Sequence, residues 1–147
     1  MDGSGNVFVA EADNHTIRKI TASGVVTTLA GMAGNPGSED GTVNVSARFS
    51  LPSGVAADGS GNVFVADTGN HTIRKITASG AVTTLAGAAG SRGTADGTGN
   101  AARFNTPNAV AVDGNGNIFV ADYLNHTIRK VTASGSVTTV AGSPGES

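Results

Sequence analysis

One segment of this chain occurs three times. GNVFVAEADNHTIRKI begins at Gly5, GNVFVADTGNHTIRKI at Gly61 and GNIFVADYLNHTIRKV at Gly116, so the copies stand 56 and 55 residues apart. Each match continues into TASGVVTTLAG, TASGAVTTLAG and TASGSVTTVAG. A period of this length dominates every other consideration, because each unit is one supersecondary element that buries its apolar face only by stacking on its neighbours.

Within a unit the pattern predicts four short strands. Gly54 to Ala57, parallel to Ala109 to Val112, is small and apolar and ends in Asp-Gly-Ser-Gly-Asn or Asp-Gly-Asn-Gly-Asn. In such a turn Gly supplies positive φ and Asp or Asn bonds its own backbone. Val63-Phe64-Val65-Ala66 is apolar on both faces, as a strand sandwiched between two layers is. His71-Thr72-Ile73-Arg74-Lys75-Ile76 mixes apolar and charged residues and is expected nearer the solvent. After the Thr77-Ala78-Ser79-Gly80 turn, Val82-Thr83-Thr84-Leu85 alternates as a half-exposed strand. Four up-and-down strands in tandem make a β-propeller blade, so the fold class is all-β, a propeller of four-stranded antiparallel blades.

The units divide as 1–31, whose blade lacks its first strand, then 32–87 and 88–147, each opening with a long connection. That amounts to about 2.75 blades, against roughly four to eight in a closed propeller. The sequence therefore predicts an open arc, either part of a longer array or a building block whose exposed blade faces associate with other copies.

GNVFVADTGNHTIRKI resembles an NHL repeat, named for an Asn-His-Leu signature whose third position is Thr in all three copies here. Asp40-Gly41 with Arg48-Phe49, and Asp96-Gly97 with Arg103-Phe104, resemble the blade-to-blade connection of the larger NHL units found in bacterial multi-repeat proteins and the teneurin ectodomain. The resemblance implies a propeller scaffold and favours an extracellular or periplasmic setting, the compartment being otherwise unknown. It does not imply one activity, since propellers host many.

Composition narrows the field. With 9 Lys+Arg against 11 Asp+Glu and a net charge of −2, no strong field draws nucleic acid or an anionic membrane, and neither is expected as a partner. No stretch approaches the ~18 apolar residues of a membrane span. There is no Cys, so no disulfide framework.

Several residues have a chemical reading beside a structural one. His15, His71 and His126 recur at one repeat position and could converge on a metal, but equivalent positions on stacked sheets lie about 10 Å apart, so a structural role beside the preceding Asn is expected. Asp67 and Asp122, with Glu11 in the first unit, read as turn residues that bind backbone. Asp58 to Asn62 has the composition of a calcium loop without its spacing or terminal Glu. Arg18-Lys19, Arg74-Lys75 and Arg129-Lys130 form a periodic basic row, read as a solvated, charge-balanced face. Asn14, Asn70, Asn125 and Asn44 each head a glycosylation sequon, which the repeat itself explains for the first three. Phe49 and Phe104 read as plugs between blades.

The function expected is a non-catalytic scaffold that binds a protein or small-ligand partner through the connections Met32 to Ser50 and Ala88 to Asn105, which diverge more than the strands. Glu39, Asp40, Arg92 and Asp96 are the candidate contact residues; no metal and no cofactor is expected. The alternative is a structural building block with no ligand beyond its own copies. A propeller lyase or lactonase is less favoured, because Gly54-Val55-Ala56-Ala57 and Ala109-Val110-Ala111-Val112 bring no polar residue to a central channel.

Overall fold

The computed structural model describes residues 1–43 and 45–144. Three antiparallel sheets follow one another along the chain. Blade 1 comprises β1 (Val7–Glu11), β2 (Thr16–Ile20) and β3 (Val26–Gly31). Blade 2 comprises β4 (Gly41–Thr42), β5 (Pro52–Ala57), β6 (Val63–Asp67), β7 (Thr72–Ile76) and β8 (Ala81–Ala86), in the spatial order β4-β8-β7-β6-β5. Blade 3 repeats that plan with β9 (Gly97–Thr98), β10 (Pro107–Val112), β11 (Ile118–Asp122), β12 (Thr127–Val131) and β13 (Ser136–Ala141), ordered β10-β11-β12-β13-β9. The four-stranded meander is the one its turn chemistry predicts. The all-β, partial-propeller reading holds.

Two expectations need correction. The connection ahead of each complete blade contributes a fifth, two-residue strand, β4 or β9, which pairs with the outer strand of its own blade. Asp-Gly-Thr is too short and polar to register as a strand in sequence. The other correction concerns the third strand, expected nearer the solvent. In β7 every residue but Lys75 is buried, because the connection folds back over it.

The core lies between blades. The face of blade 2 formed by Val63, Val65, Ile76 and Val82 packs on Ile17 and Ala30 of blade 1, with Ala47 and Phe49 from the connection. Its other face, formed by Phe64, Ala66, Ile73 and Ala86, packs on Ile118, Val120, Val131 and Val137 of blade 3, with Ala102 and Phe104. This accounts for the continuous apolar run of β6, buried at every residue. The inner strands approach at backbone contact: a Cβ on Gly54 would fall 2.7 Å from Ala109 Cα.

The Asp-Gly-x-Gly-Asn turns close on themselves. Asp58 Oδ1 accepts the Ser60 and Asn62 amides at 2.9 Å each, and Oδ2 accepts Asn62 Nδ2 at 2.7 Å; Asp2 and Asp113 do the same. Hydrogen bonds from Asn6 and Asn117 hold Asp2 and Asp113 below the usual carboxylate range. These carboxylates serve the hairpin.

Candidate functional site

The repeat signature builds a clamp that fixes the connections to the sheet. Arg74 projects from β7, where Thr72, Arg74 and Ile76 share the face under the connection. Its Nη1 donates to Asp67 Oδ2 at 2.8 Å and to the Arg48 carbonyl at 2.9 Å. Its Nη2 donates to the Glu39 carbonyl and to Asp40 Oδ1, both at 2.9 Å. The guanidinium lies 5.1 Å from the Phe49 ring centroid. Arg74 and Asp67 are both fully buried, so the pairing offsets a large desolvation cost. Burial pushes the Asp67 carboxyl up, opposed by hydrogen bonds from Asn70 and the Ser50 amide and by the Arg74 charge.

Blade 3 repeats the clamp residue for residue. Arg129 donates to Asp122 Oδ2 and the Arg103 carbonyl at 2.9 Å each, and to the Ala95 carbonyl and Asp96 Oδ1 at 2.9 and 2.8 Å. Asn70 and Asn125 complete it, each donating its side-chain amide to a connection carbonyl, Gly37 or Gly93, at 2.7 Å. The reading of Arg74 and Arg129 as members of a solvated basic row is therefore wrong. A connection roofs them over, and only Arg18, with no connection over it among the described residues, keeps 30% of its side chain exposed.

The signature histidine acts across the junction. His71 stands in the left-handed region at φ 58° after the 3₁₀ turn Thr68–Asn70, and its Nδ1 accepts the Thr106 amide at 3.1 Å. His15 Nδ1 accepts the Leu51 amide in the same way. The preceding amides, Ser50 and Asn105, donate to Asp67 and Asp122 at 2.7 Å. Two consecutive amides at the end of each connection are thus held by two successive blades. The histidine supports the next unit, a longer reach than the neighbouring-Asn role expected of it. Gly87 follows from this: a Cβ there would meet the His71 carbonyl at 2.7 Å, and φ is 94°.

An Nδ1 that accepts an amide must belong to a neutral imidazole carrying its proton on Nε2. Desolvation and the Arg92 charge lower the His71 pKa below its ordinary value, with Asp122 opposing them. A histidine whose folded value is depressed binds fewer protons folded than unfolded. Its contribution is complete above the unfolded value of about 6.5 and is lost as pH falls through the lowered folded value. His71→Asn, which tolerates the left-handed conformation and offers Oδ1 in place of Nδ1, removes this dependence. Urea midpoints measured from pH 7.5 to 5 should fall more for the wild-type chain than for H71N; parallel curves would contradict the assignment.

Of the candidate contact residues, Asp40 and Asp96 sit at the clamp. Each Oδ1 accepts both an arginine and a threonine, Thr84 at 2.9 Å or Thr139 at 3.0 Å, while about half of each side chain (49%) stays exposed. Against the burial that would raise it, hydrogen bonds from Thr139 and Arg129 hold Asp96 below its usual range. Glu39 and Arg92 are exposed on the connections, on successive junctions. Among the described residues no three His, Asp or Glu side chains converge as a metal site would need, and no helix is long and apolar enough to cross a membrane. Of the sequon asparagines, Asn70 and Asn125 are engaged in the clamp, Asn14 is exposed, and Asn44 lies outside the described residues. The clamp escaped the sequence reading because the partners that the connections supply lie 26 to 35 residues from the arginines. Its only trace is the joint recurrence of Asp67 with Arg74 and of Asp40-Gly41 with Arg48-Phe49 in the next unit.

Comparison with known proteins agrees with this geometry. The NHL repeat family model matches residues 49–76 and 104–131, each match running from the plug phenylalanine to the end of the third strand. NHL repeat-containing protein 2 of Gallus gallus is 42% identical over 94 residues, which is 63% of this chain and 13% of that protein. An auxiliary nutrient binding protein from Bacteroides thetaiotaomicron superposes with a TM-score of 0.73 at 22% identity, over 92% of this chain and 35% of its own. A catalytically inactive virginiamycin B lyase from Staphylococcus aureus superposes at 0.65 and 18% identity, over 95% of this chain and 39% of its own. Identities this low speak for fold alone. This chain spans about a third of those structures and a smaller part of the avian protein. Its repeated strands, signature turn and matched segments show an arc of β-propeller blades that carries two NHL repeats.

Proposed function

We propose that the chain is a non-catalytic binding scaffold whose partner, a protein or a small ligand, contacts the loops between blades. One observation carries the reading: the two connections share a backbone and differ in what they display. Gly37 and Gly93 each donate to a phenylalanine carbonyl and accept a signature asparagine. Arg48 and Arg103 donate their amides to Glu39 and Ala95 at 3.1 and 2.9 Å, and both loops meet a buried arginine. On that common frame the exposed residues are Asn35, Pro36, Ser38 and Glu39 in one loop and Ser91, Arg92, Thr94 and Ala95 in the other. Loops held rigidly on a sheet scaffold lose little entropy on binding. In this reading Glu39 and Arg92 make the contacts, while Asp40 and Asp96 hold the loops in place.

The inner strands support the absence of catalysis, since β5 and β10 carry no His, Asp, Glu, Lys or Arg, and the one hydroxyl there, Ser53 Oγ, is hydrogen-bonded to Thr68 Oγ1 and the Asn108 carbonyl with no base beside it. The test is a peptide and glycan array probed with labelled chain and with a Glu39→Arg, Arg92→Glu double variant. The scaffold reading predicts that the exchange redistributes the bound features while the melting temperature stays within about 2 °C, as for exposed substitutions. An unchanged pattern would place recognition elsewhere.

A further inference from the structure

Arg92 and His71 meet at the junction of blades 2 and 3, inside the arc. The loop that carries Arg92 is pinned on both sides of it. Ahead of Arg92 the turn Ala88 to Ser91 closes on itself, Ser91 donating its amide to the Ala88 carbonyl at 2.9 Å, and the Gly90 amide donates to the Asn70 carbonyl at 3.2 Å, next to His71. Behind it the Gly93 amide donates to the Phe104 carbonyl at 3.1 Å, and the Gly93 carbonyl accepts Asn125 Nδ2 at 2.7 Å. Arg92 is exposed, and among the described residues its guanidinium has no hydrogen-bond or ion-pair partner. Its charge nevertheless acts on His71, where it joins desolvation in lowering the pKa.

The imidazole offers a donor beside this cation. Because Nδ1 accepts the Thr106 amide at 3.1 Å, the neutral ring carries its proton on Nε2. Among the described residues that N–H has no acceptor, and the ring is only partly buried. Thr106 itself adds a hydroxyl that is unpartnered among the described residues. The carboxylate whose charge acts on the ring, Asp122, is buried and already paired with Arg129 at 2.9 Å. The preceding junction has the same backbone frame without the chemistry: Pro36 stands in the place of Arg92 and Leu51 in that of Thr106, although His15 is capped in the same way.

We propose that Arg92, the Nε2–H of His71 and the Thr106 hydroxyl form a site for an oxyanion, a carboxylate or phosphoryl group carried by the partner. The proposal rests on the reading of Arg92 as a contact residue and names the chemistry it contacts. A guanidinium presents parallel N–H groups that match two oxygens of such a group. The imidazole adds a directed bond while remaining uncharged, and its tautomer is fixed by the same amide that docks the connection. Packing of the junction therefore sets the donor before any ligand arrives.

The test titrates the intact, isotope-labelled chain with sodium acetate and, separately, sodium phosphate at pH 7.5 and constant ionic strength, read by NMR at the His71 imidazole and the Arg92 guanidinium. Saturable shifts at both are expected, with dissociation constants on the order of millimolar, while the His15 ring stays unmoved. The anion that saturates at the lower concentration identifies the group the partner carries. Arg92→Gln should weaken binding roughly tenfold. His71→Asn keeps an acceptor for the Thr106 amide and has nothing where Nε2 stands, so it should weaken binding by a similar factor while circular dichroism shows the fold retained. No saturation, equal shifts with sodium chloride, an equal response at His15, or binding indifferent to both R92Q and H71N would overturn the site. If the array pattern still redistributes on exchange of Glu39 and Arg92 while neither anion saturates, the scaffold reading stands and the oxyanion site falls.

Discussion

Replacing Arg74 by Met is expected to destabilise the fold by about 3–5 kcal/mol, the usual cost of stranding one member of a buried ion pair. Methionine matches the stem and keeps the apolar contact with Phe49, so the loss reports the guanidinium. Without it Asp67, wholly buried, keeps only the Asn70 side chain and the Ser50 amide, the Arg48 carbonyl loses its side-chain donor, and the Glu39 carbonyl is left with the Arg48 amide. Arg18→Met is the internal control. Among the described residues Arg18 pairs only with Glu11, at 3.2 Å and with both side chains about 30% exposed, and a pair of that kind contributes about 1 kcal/mol or less. Urea unfolding of the two variants measures the difference; equal losses would mean that the clamp does not bear on stability. Removing both partners, as in Arg74→Met with Asp67→Leu, should cost less than the two single losses added together.

Phe104→Ala should cost a similar amount, about 3–5 kcal/mol, for a different reason. Phe104 is wholly buried in the core between blades 2 and 3, touches the floor at Gly87, and carries Arg129 on its ring at 5.1 Å. Truncation opens a cavity at the centre of the junction, and the neighbouring β-branched side chains collapse into it only partly. The loss should appear as a lower urea midpoint with an unchanged slope, because the surface exposed on unfolding stays nearly the same. A loss below about 1 kcal/mol would show that the blades are joined by their strand faces alone and that the plug is ornamental.

The parts of the fold legible from sequence are those written in local chemistry. The Asp-Gly-x-Gly-Asn turns, the apolar run at Val63 to Ala66 and the period itself sufficed to place the meander and the propeller. Phe49 and Phe104 were readable as plugs because an isolated aromatic before a small-residue strand has few other uses. The third strand misled. Arg74 and Lys75 are adjacent in sequence and point to opposite faces, yet only Lys75 reaches the solvent, because a segment some thirty residues earlier folds over Arg74. No local pattern records that cover. The histidine was legible as structural and illegible as a junction element, since its acceptor role depends on an amide 35 or 36 residues further on. The candidate contact residues show the same limit. Divergence between units marked the loops, but it could not separate Glu39 and Arg92, which face outward, from Asp40 and Asp96, which hold the backbone.

The account rests on the claim that the connections, although irregular in backbone, are held as firmly as the sheets they join. Amide hydrogen exchange resolved to single residues tests this directly. Ser50, Leu51, Asn105 and Thr106 should be protected to the same order as amides of β6 and β11, because each donates to a side chain fixed by a blade. Ser38 and Thr94, exposed on the same loops, should exchange at rates near those of a free chain. Fast exchange at Leu51 and Thr106 while the strands stay protected would contradict the account, since the loops would then be tethers and the signature Asp, Asn, His and Arg would not organise them.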